Sequence, residues 1–135
     1  MQLHPKKTKY KKVQKGQLSK YNFRANKLKF GNIGLKVTKS GTLSSRQIEA
    51  ARQAIARKLS KQGQLWIRIF PTVPITAKPT EVRMGKGKGT VSHWCAKVSS
   101  GTIVFEVAGI NDQYLVSTAL KTGGAKLSIN TKIIF

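Results

Sequence analysis

The residues with the most distinctive spacing are RMGKGKG at positions 83–89, where glycine alternates with lysine. Three glycines remove side chains that would keep a phosphate ribbon away from the backbone, while Arg83, Lys86 and Lys88 supply positive charge. The stretch lacks P-loop spacing, which needs a glycine, four residues and then Gly-Lys-Ser or Gly-Lys-Thr. The pattern predicts contact with a polyanion and no nucleotide hydrolysis. The alternative is a flexible hairpin loop with solvated lysines.

Catalysis would need coupled groups, and the acidic residues are scattered along the chain: Glu49, Glu81, Glu106 and Asp112. Their positions do not suggest paired carboxylates. His93 and Cys95 would share a strand face, which is the one conceivable nucleophile and base arrangement, but no third group is placed to orient them. The sequence therefore predicts a protein that is not an enzyme and uses no cofactor. With a single cysteine, an intramolecular disulfide and a thiolate zinc cluster are both excluded.

Positive charge dominates the composition. The 135 residues include 26 Lys or Arg against four acidic residues, for a formal net charge of +22. Mutual repulsion of these charges favours a polyanionic partner, and nucleic acid is the leading one. Residues 1–48 hold 13 of the basic residues and no acidic residue, which is typical of a nucleic-acid arm. Apolar residues make up 39% of the chain, so we expect a folded domain behind that arm.

The arm is the most basic segment, with PKKTKYKKVQK at positions 5–15. It should be extended and ordered mainly by its partner, and the alternative is a solubilising tail. We predict a basic N-terminal arm, residues 1–27, and a single α+β domain, residues 28–135. The candidate RNA contacts in the arm are Lys6, Lys7, Lys9, Tyr10, Lys11, Lys12, Lys15 and Arg24.

The clearest predicted element is a helix over residues 45–62. Ser44 and Gln47 have the spacing of a capping box, and Gly63 can terminate the helix. One stripe of this helix is apolar, and the other faces carry four candidate RNA contacts: Arg46, Arg52, Arg57 and Lys58. A basic amphipathic helix could instead lie on a membrane surface, but this apolar stripe lacks a large wedge residue. No apolar run approaches the roughly 20 residues needed to cross a bilayer.

Alternating apolar residues predict the strands. Residues 28–38 include two glycines and predict a bulged or edge strand, and residues 64–70 predict a buried strand that ends at Pro71. Residues 93–98 and 102–107 flank a Ser-Ser-Gly turn, which favours a hairpin between them.

Two further elements complete the predicted fold. Asp112 can cap a second helix, whose end Gly123 and Gly124 weaken, and residues 128–135 form a last strand. The predicted fold class is α+β: a mostly antiparallel sheet with two packed helices, the basic extended arm and a long Gly/Lys hairpin loop.

Aromatic side chains could stack on RNA bases. Trp66 and Trp94 each lie in an apolar strand, where core packing is favoured over stacking. Tyr10, Tyr21 and Phe23 lie among basic residues and are better stacking candidates.

Several segments resemble one known family. They are SSRQIEAARQAIARKLSKQGQLWIRIFP at 44–71, PITAKPTEVRMGKGKGTVSHW at 74–94 and the PKKTKYKK opening. The series RQIEAAR, IRIFP and RMGKGKG is similar to that of the L-sixteen family of large-subunit ribosomal proteins, in its bacterial and organellar form. The resemblance covers nearly the whole chain, while the segment 16–29 departs from the family pattern.

The resemblance implies a structural protein that binds large-subunit ribosomal RNA near the base of the central protuberance and helps organise the transfer-RNA region near the peptidyl-transferase centre. The implied partners are that RNA, transfer RNA and neighbouring ribosomal proteins, with no membrane and no homo-oligomer. By the same resemblance, one loop would reach toward transfer RNA: Arg83, Met84, Gly85, Lys86, Gly87, Lys88 and Gly89. Two functional alternatives are an enzyme acting on RNA and a free-standing binder of nucleic acid or membrane surfaces.

The compartment is predicted from composition. Lysine outnumbers arginine 20 to six, as an AT-rich coding genome would produce, and the N-terminus lacks the helical spacing of an import presequence. These features favour an organelle-encoded protein. The stretch PITAKPTEVRMGKGKG at positions 74–89 resembles plant-type and protist mitochondrial members of the family, which favours a mitochondrial ribosome. A plastid or bacterial ribosome is the alternative.

Overall fold

The computed structural model describes residues 3–18, 21–60 and 62–135. Within them the chain forms seven strands and two helices, which confirms the α+β prediction. In chain order the elements are β1 (Ile33–Val37), β2 (Gly41–Ser44), α1 (Ser45–Lys58), β3 (Gln64–Ile67), β4 (Val73–Ala77), β5 (Thr90–Val98), β6 (Ile103–Ala108), α2 (Gln113–Gly124) and β7 (Thr131–Ile134).

The strands make two antiparallel sheets where the sequence predicted one. The first has the order β3-β6-β1-β7, and the second has the order β2-β5-β4. The predicted hairpin between β5 and β6 is therefore wrong, because these strands lie in different sheets. At the turn between them, the backbone N–H of Gly101 donates to the carbonyl of Val37 at 2.7 Å, which commits the following strand to β1. Alternating apolar and polar residues on both sides of a turn cannot distinguish a hairpin from two strands that lie in different sheets.

β1 occupies the middle of the first sheet, between β6 and β7, so the prediction of an edge strand is wrong. The predicted bulge is confirmed, since the pairing with β6 shifts between Leu35 and Lys36. β3 and β7 are the edge strands of this sheet, and β3 stops at Ile67 rather than continuing to residue 70. In β3 Gln64 is exposed and the other three residues are half-buried, not buried as predicted, because an edge strand has a neighbour on one side only.

The sequence did not predict β2 or β4. β4 contains Pro74, and proline usually interrupts a strand. It is tolerated here because β4 lies at an edge of its sheet. β4 pairs with β5 from Val73 opposite Cys95 to Ala77 opposite Thr90. Residues 78–89, which contain the glycine-lysine segment, join these two strands.

Both predicted helix starts are confirmed. Ser44 caps α1 with its Oγ accepting from the backbone N–H of Gln47 at 3.2 Å, while Gln47 Oε1 accepts from the N–H of Ser44 at 2.9 Å. α1 ends at Lys58, earlier than predicted. Gly63 does not cap it; a Cβ there would lie 2.5 Å from the carbonyl oxygen of Ala108, so glycine is needed for close approach to β6.

α2 is capped by Asp112, whose Oδ1 accepts from the N–H of Leu115 at 3.0 Å. Gly123 and Gly124 remain helical. At Gly123 a Cβ would lie 2.5 Å from Cγ1 of the buried Ile55, so the missing side chain allows α2 to cross α1 closely. This packing offsets the low helix propensity of glycine.

The core lies between the two helices and the strands, with Leu35, Ile48, Ile55, Phe105 and Leu120 fully buried. Leu3 is also buried in this core, and residues 21–26 hydrogen-bond to the domain. The arm is thus anchored near both of its ends. Among the described residues, the helices are too short or too polar to cross a membrane.

Candidate nucleic-acid interface

The arm and the glycine-lysine loop lie against each other, although they are far apart in sequence. Lys12 Nζ donates to the carbonyl of Lys88 at 2.7 Å, and Lys88 Nζ donates to the carbonyl of Val13 at 2.6 Å. These reciprocal hydrogen bonds join the two most basic segments. We call residues 5–15 together with residues 83–89 the arm-loop surface.

The loop has a left-handed backbone at three successive residues: Gly85 (φ +95°), Lys86 (φ +54°) and Gly87 (φ +81°). Glycine adopts this conformation without strain, which explains Gly85 and Gly87, whereas Lys86 adopts it as a non-glycine residue. Lys78 Nζ also hydrogen-bonds to the carbonyl of Gly85. A Cβ at Gly85 or Gly87 would have no neighbour within 4 Å, so this part of the backbone is open to a ligand.

Most predicted contact residues are exposed to solvent. Met84, at the loop tip, is 99% exposed. The other exposed candidates are Lys6, Lys7, Lys9, Tyr10, Lys11, Lys12, Lys15, Arg24, Arg46, Arg57, Lys58, Arg83, Lys86 and Lys88. Arg46 lines a shallow pocket with Leu3 and His4, which places this end of α1 beside the start of the arm. Arg57 and Lys58 lie about 16 Å further along the helix axis, at about 1.5 Å per residue.

Arg52 differs from the other cationic candidates because it is already paired. Its guanidinium donates to the Glu49 carboxylate through Nη2 at 2.7 Å and Nε at 3.0 Å. These hydrogen bonds lower the pKa of Glu49 and raise the pKa of Arg52. The Glu49 charge thus balances that of Arg52, which leaves Arg46, Arg57 and Lys58 as the stronger candidates for phosphate contact on α1.

Glu106 is completely buried and accepts backbone N–H groups from Phe30 at 2.7 Å, Gly31 at 3.0 Å and Lys29 at 3.2 Å, together with the guanidinium of Arg68. Burial acts to raise the pKa of this carboxyl group. The backbone hydrogen bonds and Arg68 outweigh burial and hold the pKa below its ordinary value. Sequence reasoning missed this pair, although a lone carboxylate within the apolar strand IVFEVA was the available signal.

The acidic residues do little to offset the positive charge of the surface. Glu106 is buried with Arg68, Glu49 is paired with Arg52 and Asp112 caps α2. Glu81 is exposed between β4 and β5. Three of the four carboxylates thus have structural roles.

The structure gives no support to a nucleophile at Cys95. The side chain is buried, and burial raises the pKa of its thiol, which disfavours the reactive thiolate. His93 Nδ1 lies 3.4 Å from Ser92 Oγ. Over residues 3–18, 21–60 and 62–135, His, Cys, Asp and Glu form no cluster that could hold a metal ion.

The aromatic residues follow the predicted division into packed and exposed positions only in part. Trp66 and Trp94 are half-buried, and Trp66 stacks on Phe30 with ring centroids 6.1 Å apart. Tyr10, Tyr21 and Phe23 are exposed. The last three therefore remain available to an external partner.

The fold and surface define a small α+β protein in which an arm, a loop and both ends of a helix present cationic side chains. The model of the family described as "Ribosomal protein L16p/L10e" matches residues 5–134, and the chain belongs to this family.

Curated relatives agree with this assignment, and those compared are bacterial. The chain is 48% identical to "Large ribosomal subunit protein uL16" of Sinorhizobium fredii over 132 residues, which cover 98% of this chain and 96% of the relative. It is 49% identical to the protein of the same name from Caulobacter vibrioides, covering 98% and 92% of the two chains. The Halorhodospira halophila protein of that name is 46% identical, with 98% and 96% covered.

Family membership confirms the predicted structural role in the large ribosomal subunit. The protein is a structural constituent of the large ribosomal subunit, acts in translation and is not an enzyme. Its location is the ribosome.

Proposed function

We propose that the protein binds large-subunit ribosomal RNA through phosphate contacts made by the arm-loop surface and the exposed basic residues of α1. The reciprocal hydrogen bonds between Lys12, Val13 and Lys88 carry this proposal, because they combine two cationic segments into one surface. An arm of residues 1–27 would extend along the RNA, while the domain of residues 28–135 presents the loop and helix.

Charge supports this assignment. A formal net charge of +22 repels itself strongly, and RNA phosphates relieve that repulsion with the release of condensed counterions. Lysine and arginine contacts to phosphate position a protein on RNA without reading its sequence. Specificity would then come from the shape of the RNA and from any bases that the aromatic side chains contact.

Sedimentation of a native extract through a sucrose gradient containing magnesium tests the assembled role. We expect the protein to migrate with large-subunit RNA and to remain there after a moderate salt wash. Mass spectrometry of the fractions locates the protein. Recovery only at the top of the gradient would contradict the proposal and favour a free-standing binder.

We further propose that the loop from Arg83 to Gly89 approaches bound transfer RNA. Its tip is exposed, and its left-handed backbone at Gly85 and Gly87 leaves room for a phosphate close to the main chain. The other partners would be neighbouring ribosomal proteins. We propose no membrane partner and no homo-oligomer.

The double substitution Arg83→Gln/Lys86→Gln tests the loop. In reconstituted large subunits we expect assembly to be retained while transfer-RNA affinity falls by roughly tenfold, with a salt slope shallower by about 1–2, because phosphate contacts are lost. Filter binding at several salt concentrations measures both quantities. Lys121→Gln/Lys126→Gln removes the same charge from exposed positions at the end of α2 and serves as the control. Equal losses in both variants would show a nonspecific charge effect.

A mitochondrial ribosome is our proposed location, because the excess of lysine over arginine favours an organelle-encoded protein and residues 74–89 resemble mitochondrial members of the family. A plastid or bacterial ribosome is the alternative, and the bacterial relatives fit a bacterial one. Proteomics of ribosomes from purified organelles and from the remaining extract would decide between these compartments.

A further inference from the structure

Tyr21 and Phe23 form an exposed aromatic pair beside the turn between β5 and β6. Tyr21 is 42% exposed and Phe23 is 79% exposed, and their ring centroids are 5.1 Å apart in an edge-to-face arrangement. Neither ring is needed to fill the buried core. Two exposed rings held together indicate a surface that a partner covers.

Asn22, between the two aromatic residues, holds them in place. Its backbone N–H donates to the carbonyl of Ser100 at 2.9 Å, and its Nδ2 donates to Thr102 Oγ1 at 3.0 Å. Its Oδ1 accepts the N–H groups of Arg24 at 3.0 Å and Ala25 at 3.2 Å. The pair is therefore fixed before any partner arrives, which reduces the entropy lost on binding.

Gly101 provides space for the Tyr21 ring. Its φ of +89° favours glycine, and a Cβ at this position would lie 2.4 Å from Cζ of Tyr21. The ring is thus seated against the turn backbone on one side and remains accessible elsewhere. Because the Tyr21 ring fits closely against Gly101, its position is well defined.

Two lysines lie beside Tyr21 of the aromatic pair. Tyr21, Lys36, Ser100, Gly101 and Lys132 line a groove of about 320 Å³. Lys36 Nζ lies 5.8 Å from the centre of the Tyr21 ring, and its hydrogen bond to the phenol lowers the pKa of Tyr21. Among the described residues that line the groove, none is acidic. The groove therefore offers part of the Tyr21 ring beside two lysines without an acidic partner, of which Lys36 also donates to the carbonyl of Asn26 at 3.3 Å.

We infer that Tyr21, Phe23, Lys36 and Lys132 form a subsite for one unpaired nucleotide of ribosomal RNA, whose base stacks on one ring of the aromatic pair and whose phosphate lies beside the lysines. This inference rests on the proposed RNA-binding function and adds a single-stranded contact to it. An unpaired nucleotide supplies both a flat ring and a negative charge. An apolar protein segment would cover the rings but desolvate the lysines without a counter-charge.

The test uses the full-length protein with two probes: a single-stranded RNA of eight nucleotides that contains 2-aminopurine, and a blunt duplex RNA of the same length. We expect Tyr21→Leu/Phe23→Leu to weaken binding of the single strand by about 5- to 150-fold, the range for loss of one stacked base. Binding of the duplex should be unchanged. The fluorescence quenching that accompanies stacking should be lost with the single strand. The salt slope should be unchanged, because no charge is removed.

Tyr114→Leu is the matched control, since Tyr114 is 81% exposed on α2 and lies outside the groove. The single substitution Phe23→Leu is included in case the double variant misfolds, because Phe23 is the more exposed ring of the pair. We expect Phe23→Leu to weaken single-strand binding by about fivefold.

If the wild type bound both probes and all variants, including Tyr114→Leu, changed the affinity for each probe equally, the proposal of a nucleotide subsite would be overturned. The proposed RNA-binding function would still stand. No binding of either probe by the wild type would overturn the RNA-binding function itself. Crosslinking of Tyr21 in intact large subunits should give RNA adducts; protein adducts alone would identify a protein partner and overturn the inference.

Discussion

Glu106→Gln is expected to lower the free energy of unfolding by about 3–5 kcal/mol, which corresponds to a melting temperature roughly 10–20 °C lower. The wild-type carboxylate is buried, accepts three backbone N–H groups from the segment at residues 29–31 and pairs with Arg68. A neutral amide would leave the half-buried guanidinium without its counter-charge. Reversible denaturation followed by circular dichroism measures the change.

The same substitution should alter the dependence of stability on pH. The pKa of Glu106 in the folded protein is below its ordinary value of about 4.3 in an unfolded chain. Its contribution is therefore fully present above that ordinary pKa and is lost as the pH falls through the folded pKa. The stability difference between wild type and Glu106→Gln should be constant above about pH 5.5 and should shrink in acid.

Glu49→Gln is the control for Glu106→Gln, because it removes a carboxylate from an ion pair on the helix surface. We expect it to cost about 0.2–1 kcal/mol, as for other exposed pairs. If the two substitutions had similar effects, the burial and hydrogen bonds of Glu106 would not carry the stability that we assign to them.

Binding to large-subunit ribosomal RNA should depend strongly on salt. With about six to ten phosphate contacts, the affinity should fall by roughly 10³- to 10⁵-fold between 50 and 200 mM salt. Replacement of the arm lysines by glutamine should make the slope of log affinity against log salt shallower by about 4–5. The residues replaced are Lys6, Lys7, Lys9, Lys11, Lys12 and Lys15. Filter binding to deproteinised large-subunit RNA measures the slopes.

A smaller pair of variants separates position from charge. Lys9→Gln/Lys11→Gln and Lys121→Gln/Lys126→Gln each remove two positive charges, but only the first pair lies on the arm-loop surface. We expect the first to reduce the slope by about 1.5–2 and the second to have little effect. A nearly flat salt response of the wild type would contradict the phosphate-contact proposal.

The sequence predicted local features well where neighbouring residues determine them. The capping box of Ser44 and Gln47 and the cap at Asp112 need only a few residues and a helix start, and both are present. The family also followed from sequence, because RQIEAAR, IRIFP and RMGKGKG are specific in combination and the match extends over residues 5–134.

Tertiary structure decided which strands pair. β5 and β6 have the local pattern of a hairpin, yet β6 pairs with β1 and β3 because the turn at Gly101 bonds to the end of β1. Pro74 could be accommodated only because its strand lies at an edge. Alternation specifies the two faces of a strand but not its neighbours.

The same division holds for the candidate interface. The amino-acid sequence determined that the protein is a polycation with an arm and a glycine-lysine loop, because charge and backbone freedom are properties of single residues. Only the tertiary structure decided that Lys12 and Lys88 meet and that Tyr21 is seated on Gly101. Those contacts join residues distant in the chain, and their formation depends on how the whole fold buries its core.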